Sequence, residues 1–176
     1  MTNKKIILST AVIFVAVLVV YILVSKPSAI VKGVFYNEPS IEGTKVYFPY
    51  DFLNDNKLVF IDVKLRDKVS SVSFQNRVIP LGIYRDGEYL PLLALLTPSG
   101  KVLVGIRVCE PCGSFSFHVS ESKYIVCDAC GTMWDIETLA GVSGGCVNYP
   151  PPRLPVSVNG GSVWIDASAL GLPIEG

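Results

Sequence analysis

Four of the five cysteines fall into two matched segments, Cys109-Glu-Pro-Cys112-Gly113 and Cys127-Asp-Ala-Cys130-Gly131. Two residues between thiols let both sulfurs of a pair turn toward one point. A glycine directly after the pair accepts positive φ, so the loop can tighten and aim backbone N–H groups at sulfur. Such donors offset the cost of clustering negative thiolates and tune whatever the thiolates bind. Fourteen residues separate the two pairs. Four sulfurs at one point suit zinc, a single iron or an iron–sulfur cluster. Cys109, Cys112, Cys127 and Cys130 are therefore the candidate metal ligands.

Other uses of cysteine compete with this reading. A disulfide within a C-x-x-C pair closes a very small loop, which stabilises little and strains the bridge. Bridges between the pairs, thiol–disulfide exchange and metal delivery stay open as alternatives. Covalent haem attachment needs C-x-x-C-H, and here glycine follows each pair. A Rieske centre needs two histidines, and the chain has only His118. The same shortage excludes a His-rich catalytic zinc site. A thioredoxin-like motif would sit in a βαβ context, which the sequence does not offer.

Two further residues are candidates. His118, in SFSFHV, reads as a half-exposed strand residue or as a partner behind the ligands. Cys146, in GGCVNY, is either a buried free cysteine or a fifth ligand or cap, and the two preceding glycines let the backbone approach something closely. Met133 and Trp134 read as core residues rather than as a cover over the sulfurs. No Ser/His/Asp set, carboxylate pair or phosphate-cradling loop stands out, so an electron carrier or metal-binding module fits better than a catalyst.

Strands must position these loops. Lys45–Tyr50, Leu58–Lys64, Val69–Phe74, Arg77–Tyr84, Tyr89–Leu96, Lys101–Val108, Leu154–Val158 and Ser162–Ile165 all carry strand patterns. Asn54–Asn56 and Arg85-Asp-Gly87 read as turns, and Asn159-Gly-Gly161 as a hairpin turn. No helix-length amphipathic segment follows the N-terminal region. The expected fold is mainly β, a small barrel or sandwich at residues 45–176 carrying the four-cysteine site within 109–146.

Ahead of it, Ile6–Val24 contains no charged residue. As a helix this run would extend about 28 Å, close to the hydrocarbon thickness of a bilayer. It exceeds the usual apolar core of a signal peptide and lacks a good cleavage site, so it is expected as a retained single anchor over 1–25. Residues 26–44 are expected as a connector. Lys4 and Lys5 favour an inside N-terminus and an outward domain, with Lys26 and Lys32 partly balancing them. Basic and acidic side chains number 15 each, which gives no electrostatic grip on nucleic acid.

The segments VGIRVCEPCG, YIVCDACGTMWDI and GVSGGCVNYPPPRLPV, followed by VNGGSVWID, resemble the FtrD-like membrane iron–sulfur protein family over about residues 78–166. The order of the pairs and the late Gly-Gly-Cys carry the likeness jointly. The resemblance implies a membrane-anchored, extracytoplasmic iron–sulfur protein, an electron carrier linked in some systems to ferrous iron uptake, with a redox or transport membrane protein as partner. It implies Cys109, Cys112, Cys127 and Cys130 as cluster ligands, and it matches Cys146 to the cysteine of the family's late loop. Zinc is the alternative occupant, in a structural or assembly subunit of a membrane complex. The sequence departs from the family pattern at Val147, which separates Cys146 from Asn148, and at the prolines after Tyr149.

Overall fold

The computed structural model describes residues 30–176. The anchor expected over 1–25 lies outside them. Among the described residues no helix is long and apolar enough to cross a membrane.

The chain forms β1 (Ile30–Lys32), β2 (Val34–Tyr36), β3 (Ser40–Glu42), β4 (Lys45–Pro49), α1 (Tyr50–Asn56), β5 (Leu58–Lys64), β6 (Ser71–Phe74), β7 (Arg77–Pro80), β8 (Tyr89–Leu96) and β9 (Val102–Ile106). The second half adds β10 (Phe117–Ser120), β11 (Tyr124–Cys127), β12 (Met133–Asp135), β13 (Gly141–Ser143), β14 (Val156–Asn159) and β15 (Ser162–Asp166).

The sheet β2-β5-β8-β9 lies in the middle. Its strands β5 and β8, LVFIDVK and YLPLLALL, are nearly continuous apolar runs. That pattern suits a sheet buried on both faces. Val59, Ile61 and Val63 of β5 and Leu90, Leu92 and Ala94 of β8 face one core. This core is shared with Val46 and Phe48 of β4, Val163 and Ile165 of β15, and Val72 and Ile79 of the β6–β7 hairpin. Leu58, Phe60, Leu93 and Leu95 face the opposite way. They pack with Phe117, Val119, Ile125 and Trp134 of the sheet β1-β10-β11-β12-β13. Cys109, Cys127 and Cys146 belong to this second core. The middle sheet thus separates a purely structural core from one that reaches the cysteines.

The mainly β class holds, but the strand pairings among the described residues close no barrel; they form open sheets stacked on one another. Residues 30–42, within the stretch expected as a connector, contribute three strands. β1 pairs with β10, β2 runs parallel to β5, and β3 pairs with β4. Short strands of this kind have too few residues to show alternation. The Asn54–Asn56 turn is instead the end of α1. Its seven residues are too few for a helical period, and what holds it is the insertion of fully buried Leu53. Lys57, at φ 64°, ends it by donating its N–H to Leu53 O at 2.8 Å. The strand expected over Arg77–Tyr84 stops at Pro80, and Arg85–Gly87 does form a tight turn, with all three residues at positive φ. Asn159-Gly-Gly161 does make a hairpin, with Asn159 opposite Ser162 and both glycines at positive φ.

Candidate metal centre

β9 and β11 deliver the two loops. β9 ends at Ile106, and Arg107-Val108 leads into Cys109. β11 ends on Cys127, which lies opposite Phe117 of β10. The loops then repeat the same backbone plan. Cys109 N donates to Ser114 O at 2.8 Å, and Cys127 N to Thr132 O at 3.0 Å. Gly113 N and Gly131 N each donate to the carbonyl of the first cysteine of their pair at 2.9 Å. Both glycines stand at φ 67°, in the left-handed region where a side chain is strained. The glycine N–H groups thus close the turn and do not reach sulfur. The next residue in each loop does: the Ser114 N–H bonds Cys112 and the Thr132 N–H bonds Cys130.

The four sulfurs of Cys109, Cys112, Cys127 and Cys130 lie within 4.8 Å of one another. The close pairs run between loops, with Cys112 Sγ 3.6 Å from Cys127 Sγ and Cys109 Sγ 3.9 Å from Cys130 Sγ. All five cysteines are free thiols. The first cysteine of each pair is buried and the second exposed. Burial pushes the Cys109 thiol far up, and the neighbouring cysteines add to this. Cys112 is pushed up to about 11: burial, with its bonds to Cys127 and Cys130, outweighs the donors Cys109 and Ser114. Burial also works upward on Cys130. There the Thr132 hydroxyl and amide, with the Cys127 and Cys112 thiols, outweigh it and hold the group at about 6. Four thiols converging this closely, two already favoured by amide donors, fit a bound metal or iron–sulfur group.

Cys146 comes to the same place. Its sulfur is 3.9 Å from Cys130 Sγ, and its N–H donates to Thr132 Oγ1 at 3.1 Å. Gly144, at φ 105°, permits this approach, since a Cβ there would stand 2.5 Å from Thr132 Oγ1. His118 lies behind the second loop, its Nδ1 2.5 Å from Asp128 Oδ1. Asp128 also takes the hydroxyl of Ser116 and donates its own N–H to Ser116 O at 2.9 Å. Trp134 is fully buried, 6.3 Å from the Phe117 ring, and donates Nε1 to Val147 O at 3.0 Å. It is a core residue that also ties down the Cys146 loop.

Several residues that brace the site carry no recognisable pattern in sequence. Arg77 reaches Glu110 of the first loop at 2.7 Å and bonds Pro150 O with both terminal nitrogens at 3.0 Å. Arg107, 4 % exposed, donates to Phe115 O and to Asp62 Oδ1, each at 2.7 Å. Its guanidinium lies 4.6 Å from the Phe60 ring centroid and 5.0 Å from those of Phe35 and Tyr84. A buried cation needs such a carboxylate and such ring faces. Arg107 thereby grips the chain on both sides of the first loop. Its carboxylate partner and two of its three ring partners come from β5 and β2, far from Cys109 in the chain.

The family model described as membrane iron–sulfur containing protein, FtrD-like, matches residues 75–172. The chain belongs to this family. The matched span includes both cysteine loops and Cys146. Two solved structures are similar to part of this chain. One is the ferredoxin of Sphingomonas yanoikuyae B1, 20% identical, covering 60% of this chain and 95% of that one at a TM-score of 0.37. The other is the ferredoxin of carbazole 1,9a-dioxygenase from Nocardioides aromaticivorans IC177, 17% identical, covering 60% and 96% at a TM-score of 0.36. No curated protein matches the chain.

Proposed function

We propose that this FtrD-like protein is a membrane-anchored, extracytoplasmic electron carrier whose iron–sulfur group is held by Cys109, Cys112, Cys127 and Cys130, serving a membrane redox or iron-transport partner. The observation that carries the reading is the convergence of the four sulfurs from two facing loops, with one sulfur of each pair buried and one exposed. The bound group would supply one-electron chemistry. The chain's part is to exclude water from Cys109 and Cys127, to aim the Ser114 and Thr132 N–H groups at the outer sulfurs, and to leave Cys112 and Cys130 open toward a partner. His118 would hold Asp128, and through it the second loop. The membrane description of the family and the uncharged run Ile6–Val24 support the anchor.

One observation favours a second reading. A tetrahedral zinc with Zn–S near 2.3 Å has sulfur–sulfur edges of about 3.8 Å. The two inter-loop separations of 3.6 and 3.9 Å, within a set that reaches no more than 4.8 Å, suit a single tetrahedral ion; if that ion is zinc, the centre is a structural clamp in an assembly subunit. Anaerobic purification of the full chain in detergent, followed by visible absorption, EPR and elemental analysis, separates the two. Charge-transfer bands with iron and acid-labile sulfide are expected. A colourless protein with about one zinc would end the electron-carrier reading.

A further inference from the structure

Thr132 is fully buried, yet it is polar and lies directly after the second glycine turn. With Cys130 as a free thiol, the Thr132 hydroxyl oxygen accepts from Cys130 Sγ at 3.2 Å and from the Cys146 N–H at 3.1 Å. A hydroxyl has one proton to give and lone pairs to receive with. The Cys146 N–H can only donate, so it occupies a lone pair of Oγ1. A metal-bound Cys130 is a thiolate without a proton, so the bond between Oγ1 and Sγ must then be donated by the hydroxyl. The result is a directed chain: Cys146 N–H to Thr132 oxygen, Thr132 O–H to Cys130 sulfur. Each donor in such a chain polarises the next.

The first loop offers no counterpart. Ser114 holds the equivalent place, but its oxygen accepts the Ser116 N–H at 3.2 Å and serves the loop backbone. The second loop gains its extra donor because Gly144 lets residues 144–146 press against Thr132; the Cβ of any larger residue at 144 would fall 2.6 Å from Thr132 Cα. The same contact explains Gly144 of the Gly-Gly-Cys loop without using the Cys146 sulfur.

We infer that Thr132 is a positioning residue that sets the reduction potential of the centre through a hydroxyl bond to the Cys130 thiolate, braced by the backbone amide of Cys146. A donor to a ligand sulfur stabilises the more electron-rich, reduced state and raises the potential. The inference rests on the metal–thiolate centre proposed above.

The test is a redox titration of the full chain in detergent for the wild type, Thr132→Val, Thr132→Ser and Cys146→Ser. Poised at the wild-type midpoint, Thr132→Val should carry wild-type iron and sulfide while its reduced-to-oxidised ratio falls roughly tenfold, which is about 59 mV for one electron. Thr132→Ser should restore the ratio. Cys146→Ser should keep it, since the amide remains. An unchanged ratio in iron-loaded Thr132→Val would overturn the inference, as would a Thr132→Ser ratio displaced as far as that of Thr132→Val. If Thr132→Val takes up no metal, Thr132→Ser decides. Loading at the wild-type ratio supports the hydroxyl, and failure to load overturns it. The metal content of the wild type tests the electron-carrier reading separately. If it holds zinc and no iron, that reading fails, and the hydroxyl bond is then read as faster zinc release to a chelator from Thr132→Val than from wild type or Thr132→Ser. Equal release rates would overturn it.

Discussion

The two cysteine loops share a backbone and differ in what surrounds it. Each closes with the same pair of hydrogen bonds and the same left-handed glycine, and each turns a buried and an exposed sulfur toward the other loop. Yet the exposed sulfur is pushed up to about 11 in the first loop and held at about 6 in the second. Backbone geometry therefore builds the place for a metal, and the neighbouring chain sets how readily each sulfur carries charge. The first loop is gripped from outside by Arg77 and Arg107, both through groups away from sulfur. In the second, the Thr132 hydroxyl sits against the sulfur itself, its oxygen taking the Cys130 thiol at 3.2 Å.

The largest test of this comparison removes one sulfur at a time. Cys109→Ser and Cys127→Ser should abolish metal retention from either loop, because each empties a buried position that water cannot replace. Cys112→Ser and Cys130→Ser should retain part of it. Elemental analysis after desalting reads the difference, and a buried-position variant with full metal content would break the equivalence of the loops.

A smaller effect separates the exposed sulfurs in the metal-free protein. At pH 7.5 a thiol at about 6 is mostly thiolate, and one at about 11 is less than one part in a thousand so. Lower intrinsic nucleophilicity of the more acidic thiol offsets roughly two of those orders of magnitude. Cys130 should then react with iodoacetamide roughly tenfold faster than Cys112, as mapped by mass spectrometry. Raising the pH to 9 should accelerate Cys112 about thirtyfold and leave Cys130 nearly flat. Parallel slopes would remove the asymmetry.

The same shifts act on stability with opposite signs. Cys130 is lowered from 9.0 to about 6, so its contribution is fully present above 9 and is lost as pH falls through 6. Cys112 is raised from 9.0 to about 11, so its contribution is present below 9 and lost as pH rises toward 11. Urea midpoints of the metal-free wild type should fall at both ends, with Cys130→Ser removing only the acid limb.

The smallest contrast lies among the glycines. Gly131→Ala meets open space and should cost about 1–2 kcal/mol from the left-handed backbone alone. Gly113→Ala adds a contact with Ile83 Cδ1 at 3.3 Å and should cost slightly more. Gly144→Ala drives a Cβ into Thr132 and should exceed both, by about 1 kcal/mol or more. Denaturant midpoints of the metal-loaded variants give the order, and equal costs at 131 and 144 would separate the second loop from the Cys146 segment.

Much of the centre was legible because its signals are local. Spacing within C-x-x-C-G specifies a turn, and the glycines do stand at positive φ. Strands β5 and β8 were legible from their continuous apolar runs, which need two covering layers. The short strands of residues 30–42 were not, because their pairing partners lie far along the chain and three residues show no period. The glycine amides were expected at sulfur but close the turn, and the amides one residue later take that role. The Gly144-Gly145 pair signalled a close approach without naming its target, since Thr132 lies twelve positions away from Gly144.

Arg107 has a consequence for modularity. The family match begins at residue 75, which invites the idea of a detachable cysteine module. Yet the carboxylate and two of the three rings that accommodate this cation, Asp62, Phe35 and Phe60, lie before that point. So does β5, the strand that β8 pairs along its whole length. A protease cut between 36 and 62 should therefore leave two fragments that stay together, whereas residues 75–172 made alone would carry a buried guanidinium with no counter-ion and a bare edge on β8. The unit of inheritance seen in the sequence match is smaller than the unit that folds.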